Sequence, residues 1–519
     1  MKRITILSFM VWMLLGTIRP ATTNPVIWAD VPDPDVICVG DYYYMVSTTM
    51  HMMPGGPIMR SKDLTQWETI GYLFDRLTDS PKYDLLDGTV YGRGQWATSL
   101  RYHKGLFYVL FSANESGPMG QTYIMTAKDP AGPWTIHSRL PHFHDAALFF
   151  DDDDRVYVFY GTGEMAELIS DLKGVVEGSH RKTFEREADE TGLLEGSRVV
   201  KHNGYYYLQM ISQVWGVPGR HRREVCYRTR NINDTWEKKV ILESDFAGFP
   251  YVGQGTIVEG PKGEWNGIIF QDRGGIGRVL TLMPCRWIDG WPILGDENGR
   301  VPLNIEGNPT SVMASDDFSG ERLNLLWQWN HNPVDQAWSL KARKGWLRLQ
   351  TSRVVNNLFA APNTLTQRTQ GPTCSATVKM DVSKMRDGDV AGFSAFQGDA
   401  ALLSIRQEGK QRFLTATLPK LELVGNDKRI GNCTEEEVLR LPFKQKVVWF
   451  RIDADFQLHK DLASLYYSLD GKTWEKAISD FKLIYDYRRF FMGTRFGISY
   501  YATKQLGGYV DVDEFIVNE

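Results

Sequence analysis

One short phrase recurs five times along this chain. "GDYYYMVST" begins at Gly40, "KGLFYVLFS" at Lys104, "DDRVYVFYG" at Asp153, "HNGYYYLQM" at His202 and "GEWNGIIFQ" at Gly263. Each is a polar turn followed by a strand of alternating aromatic and aliphatic residues, and the copies are spaced by roughly 50 to 60 residues. A second phrase follows three of them: "RSKDLTQW" ending at Trp67, "TAKDPAGPW" at Trp134 and "RTRNINDTW" at Trp236. Repeats of this length built from short antiparallel strands predict a five-bladed β-propeller, because a single blade cannot bury both of its faces alone. Segments with helical periodicity are almost absent.

Superposing the copies aligns a second feature. An apolar pair precedes each aromatic strand and marks the innermost strand of the blade: Val36-Ile37, Leu148-Phe149, Val199-Val200 and Ile257-Val258, with Leu100 as a weaker counterpart. Three residues before these stand Asp33, Asp145, Gln254 and Ala97, and four before stands Glu195. Innermost strands crowd round the propeller axis, so equivalent positions at their starts converge. Three blades are therefore expected to deliver carboxylates to one pocket. Like charges gathered in a partly dry site cannot all ionise, so one acid is held protonated while another stays ionised, which is the division of labour glycoside hydrolysis needs. The run Asp151 to Asp154 reads only as a solvated turn, and single acids often cap turns; three in register do not fit that reading.

Composition narrows the remaining classes. The 519 residues, 42% hydrophobic, suffice for two cores, and the net charge of −4 carries no basic patch for nucleic acid or anionic membrane. Aromatic residues make up 12%, with 16 Trp, which suits both large cores and stacking on sugar rings. "MKRITILSFMVWMLLGTIRPATT" has a basic start, an apolar run and small residues near Ala21, and reads as a secretory signal over residues 1–23. The expected location is secreted, or periplasmic in a Gram-negative source, with no membrane association after cleavage. The five cysteines, Cys38, Cys226, Cys285, Cys374 and Cys433, are scattered and lack the spacing of a zinc site, so they read as buried thiols.

The segments "NPVIWADVPDPDVICVGDYYYMVST", "HFHDAALFFDDDDRVYVFYG" and "LLEGSRVVKHNGYYYL", in this order, resemble glycoside hydrolase family 43 over almost the whole mature chain. The resemblance implies an inverting hydrolase with Asp33 as general base, Asp145 as the acid that tunes and orients the proton donor, and Glu195 as that donor. Glu195 is expected to hold its proton near neutral pH and Asp33 to be ionised and to activate water. An inverting pair is separated by about 6.5–9.5 Å to admit that water. "GQWATSL" implies Trp96 stacking on the sugar, and "GIGRVLTLMPCRWIDGWPIL" implies Arg278 on its hydroxyls. Gln254 stands where many relatives carry a histidine, so no tightly bound axial metal and no cofactor for catalysis are expected.

From residue 311 the pattern changes to many short alternating segments, among them "CSATVKMDV", "KVVWFRIDAD" and "LYYSLDGKTWEK", with a turn at Asp470-Gly471. This predicts a β-sandwich over 311–519 after a propeller over 24–310, and it resembles the concanavalin-like domain of the family's β-xylosidases and some arabinofuranosidases. The resemblance implies that "YRRFFMGTRFG" reaches over the pocket, with Phe490 or Phe491 as its wall, and that a structural calcium lies in the sandwich near Asp317 and Asp513. The expected substrate is an oligosaccharide or polysaccharide of plant cell walls carrying a terminal α-L-arabinofuranosyl or β-D-xylosyl residue. The former is favoured because "TTMHMMPGGP", read as the pocket edge, departs from the residues usual in xylosidases. Two rivals fit less well: the three acids oppose a non-catalytic carbohydrate-binding propeller, and a retaining fructan hydrolase would need Asn-Asp-Pro and Arg-Asp-Pro signatures.

Overall fold

A computed structural model describes residues 21–114, 120–216, 222–250 and 252–519. The expected leader lies outside these, apart from Ala21–Thr23, which pair antiparallel with Asn304–Glu306. Five four-stranded antiparallel sheets follow one another along the chain, with innermost strands Asp35–Val39, Gly94–His103, Ala147–Phe150, Leu194–His202 and Val252–Glu259. Each innermost strand touches the next, and the fifth touches the first, so the ring closes. We number these blades 1 to 5.

The repeated phrase folds as the second strand of every blade. In blades 2 and 4 the turn before it, Lys104-Gly105 and Asn203-Gly204, is left-handed at both residues, the conformation that matches the twist of the flanking strands. The aromatic residues of these strands, such as Tyr44, Phe111, Phe159 and Tyr207, fill the spaces between blades. Trp67, Trp134 and Trp236 are buried wedges at the blade edges. The chain start completes the ring: Val26 and Ile27 bond to Leu280 of blade 5, and the Asn24 amide donates to the Leu282 carbonyl.

The second domain is a sandwich of an eight-stranded and a seven-stranded sheet. Its core is apolar throughout, with Phe393, Phe496, Phe515 and Trp327 among the residues between the sheets. The edge strand of the eight-stranded sheet, Met52–Met53, comes from the propeller and pairs with Gln328–Asn330. This corrects the sequence reading of "TTMHMMPGGP": Thr48 to Met53 are buried in the seam between the domains and do not form an exposed pocket edge. Apolar Met52 and Met53 have a hydrophobic sheet to join, whereas Thr48 of the same stretch reaches Asp33. Of the cysteines, Cys226, Cys285 and Cys374 are buried as expected, whereas Cys38 and Cys433 are half-buried; all five are free thiols.

Candidate active site

Four blades place the same backbone conformation at the axis. Asp33, Asp145, Gly196 and Gln254 each precede their innermost apolar pair by three residues, and all four have positive φ. That local kink turns the chain out of the strand and points a side chain towards the propeller mouth. In blade 4 glycine takes the kinked position because a Cβ there would lie 2.8 Å from the Gln254 side chain, and the acid moves one residue back to Glu195. The register of blade 4 shifts between Glu195 and Arg198 to accommodate it.

Asp33 is buried, and both of its carboxylate oxygens are held. Thr48 Oγ1 donates to Oδ2 at 2.7 Å, and Arg278 Nη1 donates to Oδ1 at 2.8 Å. Burial opposes the charge on Arg278, but Asp33, Tyr485, Asp30 and Asp272 outweigh it and raise the guanidinium above its ordinary value. Nε and Nη2 of Arg278 are buried without a protein partner, which leaves two donors for a bound molecule.

Across the mouth, His144 Nε2 lies 3.2 Å from Glu195 Oε2. His144, Asp145 and Glu195 each bring one polar atom within 4.8 Å of the others. Burial lifts the Asp145 carboxyl to about 6, with Glu195 and Asp33 adding to the effect and His144 and Arg198 opposing it. The Asp145 carboxylate in turn raises His144 to about 9 against the pull of burial, helped by its bond to Glu195. These three groups are the one set of three potential metal donors among the described residues.

Beneath this layer the axis is occupied by Asp35, Arg198 and Glu224, all fully buried. Asp35 accepts from the Leu100 amide at 2.8 Å and from Arg101 at 2.7 Å, and lies 3.5 Å from Arg198 Nε. Arg198 reaches up to donate to the Asp33 carbonyl at 3.1 Å. Glu224 accepts from the Gln254 amide at 2.8 Å, and burial pushes its carboxyl to about 8. Gln254, in the innermost strand of blade 5, is thus bonded through its backbone N–H to an acid of blade 4.

Trp96 and Phe491 form the walls. The Trp96 ring meets His144 edge-on at 5.8 Å and Phe491 at 6.4 Å. Phe491, contributed by the sandwich, lies 4.9 Å from the Arg278 guanidinium. Phe490 is different. It is fully buried against His51, Tyr91 and Phe396, so it belongs to the seam's core and is corrected from a wall residue. The positive φ of Phe491 is what sends two adjacent rings in different directions.

The chain matches the description "Glycosyl hydrolases family 43" over residues 22–292 and "Beta xylosidase C-terminal Concanavalin A-like domain" over residues 315–518. It belongs to glycoside hydrolase family 43. A putative β-xylosidase of Xylanibacter ruminicola is 32% identical, over 87% of this chain and 82% of its own length. A non-reducing-end α-L-arabinofuranosidase of Bacteroides ovatus is 26% identical, over 87% and 89% respectively. The solved structure of a bifunctional GH43-CE protein of Bacteroides eggerthii is 40% identical and superposes with a TM-score of 0.88, covering 96% of this chain and 64% of that one. This family 43 chain is thus a glycoside hydrolase acting on glycans, with a five-bladed propeller and a concanavalin-like sandwich.

The calcium site implied for this family 43 sandwich does not fit the residues present. Asp513 is paired with Lys379 at 2.5 Å, a cation where a second cation would have to sit, and exposed Asp317 bonds to Ser319. Sequence reasoning also missed His144, Arg198, Glu224 and Tyr485. Only His144 had a usable signal: it directly precedes Asp145 in "HFHD", in a chain with 10 histidines.

Proposed function

We propose that this enzyme removes single pentosyl residues from the non-reducing ends of plant cell-wall glycans with inversion of configuration, β-D-xylosyl before α-L-arabinofuranosyl. The observation that carries this reading is the convergence of Asp33, Asp145 and Glu195 at one mouth, beside an aromatic wall from the sandwich. A site walled on one side by a second domain suits a chain end. Asp33, clamped by Thr48 and Arg278, takes a proton from water as the water oxygen attacks the anomeric carbon. Glu195 gives its proton to the departing glycosidic oxygen, and the carbon–oxygen bond breaks. After the sugar leaves, Asp33 loses its proton to water and Glu195 takes one from water, which closes the cycle, and the free donors of Arg278 hold the sugar hydroxyls. No cofactor enters this scheme. Met52 and Met53, part of the stretch on which the α-L-arabinofuranosyl expectation rested, pair with the sandwich, and the name of the Xylanibacter relative favours xylose. Its relative from Bacteroides ovatus keeps arabinose as the second reading. The basic and apolar first residues support export from the cytoplasm.

The test is a comparison of p-nitrophenyl β-D-xylopyranoside with the α-L-arabinofuranoside, together with product analysis on xylo-oligosaccharides. Faster xyloside hydrolysis and stepwise release of xylose are expected. Internal cleavage, or no release from either glycoside, overturns the reading.

A further inference from the structure

Three acids open the first inner strand, and two have now been placed: Asp33 faces the mouth and Asp35 neutralises cations on the axis. Asp30 does neither. It is buried, and its two oxygens are divided between the domains. Oδ1 accepts the backbone N–H of Arg278 at 2.8 Å, and Oδ2 accepts the backbone N–H of Gly493 at 2.8 Å. The next residue completes the grip on blade 5, because Val31 N–H donates to the Arg278 carbonyl at 2.8 Å. Arg368 of the sandwich donates to the Asp30 carbonyl at 2.9 Å.

The approach of these backbones is too close for side chains to have filled the gap. A Cβ on Gly277 would fall 2.3 Å from Asp30 Oδ1, and one on Gly493 would fall 2.0 Å from the Ile276 carbonyl oxygen. Gly493 lies two residues beyond Phe491, and Arg278 is the partner of Asp33. One carboxylate therefore fixes, through two backbone bonds, the height of the wall and the position of the arginine that clamps the base.

We propose that Asp30 is a positioning residue for the hydrolytic reaction, setting the sandwich loop against blade 5 so that Phe491 and Arg278 face the bound sugar together. The proposal rests on the reading of this mouth as the active site. Displacements of about 1 Å at such positions lower rates by up to about a hundredfold. An amide in place of the carboxylate can accept only one of the two N–H groups and turns its own N–H towards the other.

The experiment is a double-mutant cycle on aryl xyloside and aryl arabinofuranoside hydrolysis with Asp30→Asn and Phe491→Ala, and with Thr494→Val as a control. The Thr494 hydroxyl donates to the Gly275 carbonyl in the same seam and is not among the groups that Asp30 holds. Asp30→Asn is expected to raise KM by about tenfold alone and by clearly less, about threefold, when Phe491 is already Ala, the remainder acting through Arg278, since coupled sites are not additive. Thr494→Val is expected to lower Tm with KM unchanged. Multiplying KM effects in the double variant, or an equal KM rise in Thr494→Val, overturns the proposal and leaves Asp30 a general seam residue. If Asp30→Asn does not fold, Asp30→Ser, which still accepts one bond, is read in the same way. A crystal structure of the folded variant separates this idea from the choice of substrate. The Phe491 ring should leave the Arg278 guanidinium, and an unmoved ring and arginine contradict the proposal whatever sugar the enzyme takes.

Discussion

Phe490 and Phe491 are neighbours of identical chemistry, so exchanging each for alanine separates core packing from pocket wall within one loop. Phe490 is fully buried, and its ring meets His51 at 4.7 Å and Phe396 at 5.3 Å. Truncating such a ring costs about 3–5 kcal/mol through lost burial and the cavity left behind. The domains share a sheet through Met52–Met53, so they are expected to unfold as one unit. At about 2 cal/mol/K per residue, its unfolding entropy is on the order of 1 kcal/mol/K, and Phe490→Ala should lower Tm by roughly 3–5 °C. Phe491 is half-buried and leans on Arg278. Its removal should move Tm by less than about 2 °C, because a partly exposed cation–π contact contributes about 1 kcal/mol. Losing apolar contact with the sugar worth about 1.5–3 kcal/mol should raise KM by about tenfold or more. Differential scanning calorimetry and steady-state kinetics on the same samples decide the matter. If Phe490→Ala raises KM as much as Phe491→Ala, or Phe491→Ala melts as early as Phe490→Ala, the division between wall and core is wrong.

Asp33→Asn should lower hydrolysis of every substrate by about 10²–10⁴-fold, whereas Glu195→Gln should spare aryl glycosides of acidic phenols, which need little protonation; equal losses on good and poor leaving groups in Glu195→Gln remove it from the donor role. Asp33→Asn also leaves the Arg278 cation buried and unpaired, so a lowered Tm should accompany it, and an unchanged Tm speaks against the clamp. His144 is held at about 9, above its ordinary value near 6.5, so its stabilising contribution is complete below about pH 6.5 and fades as pH rises through about 9. In His144→Gln the fall of Tm between pH 7 and 10 should be shallower than in the wild type, and the alkaline decline of kcat/KM should move; identical profiles would show that His144 does not hold this proton.

The propeller was legible because its signals are local: a turn, an alternating strand and an apolar pair, repeated five times. The convergence of the three acids was legible for the same reason, since Asp33 and Asp145 occupy one position of that repeat and Glu195 is displaced by a single residue where Gly196 takes the kink. What escaped depends on contacts between distant parts of the chain. Nothing local in "TTMHMMPGGP" tells that Met52 and Met53 will extend a sheet built some 300 residues later. Likewise Asp30, Asp33 and Asp35 look alike in sequence, and only the arrival of Gly493, Arg278 and Arg101 gives each a different task. Phe490 and Phe491 were inseparable until the backbone turned between them.

In the proposed inversion, Asp33 activates water on the face of the sugar opposite the bond that Glu195 helps to break. Proton NMR of a β-xyloside digest, recorded in the first minutes before the released sugar equilibrates its anomers, tests it directly. α-Xylose is expected to appear first, and β-xylose only later by mutarotation. Initial release of β-xylose would mean retention, with a carboxylate acting as nucleophile, and would contradict the assignment of Asp33 as base.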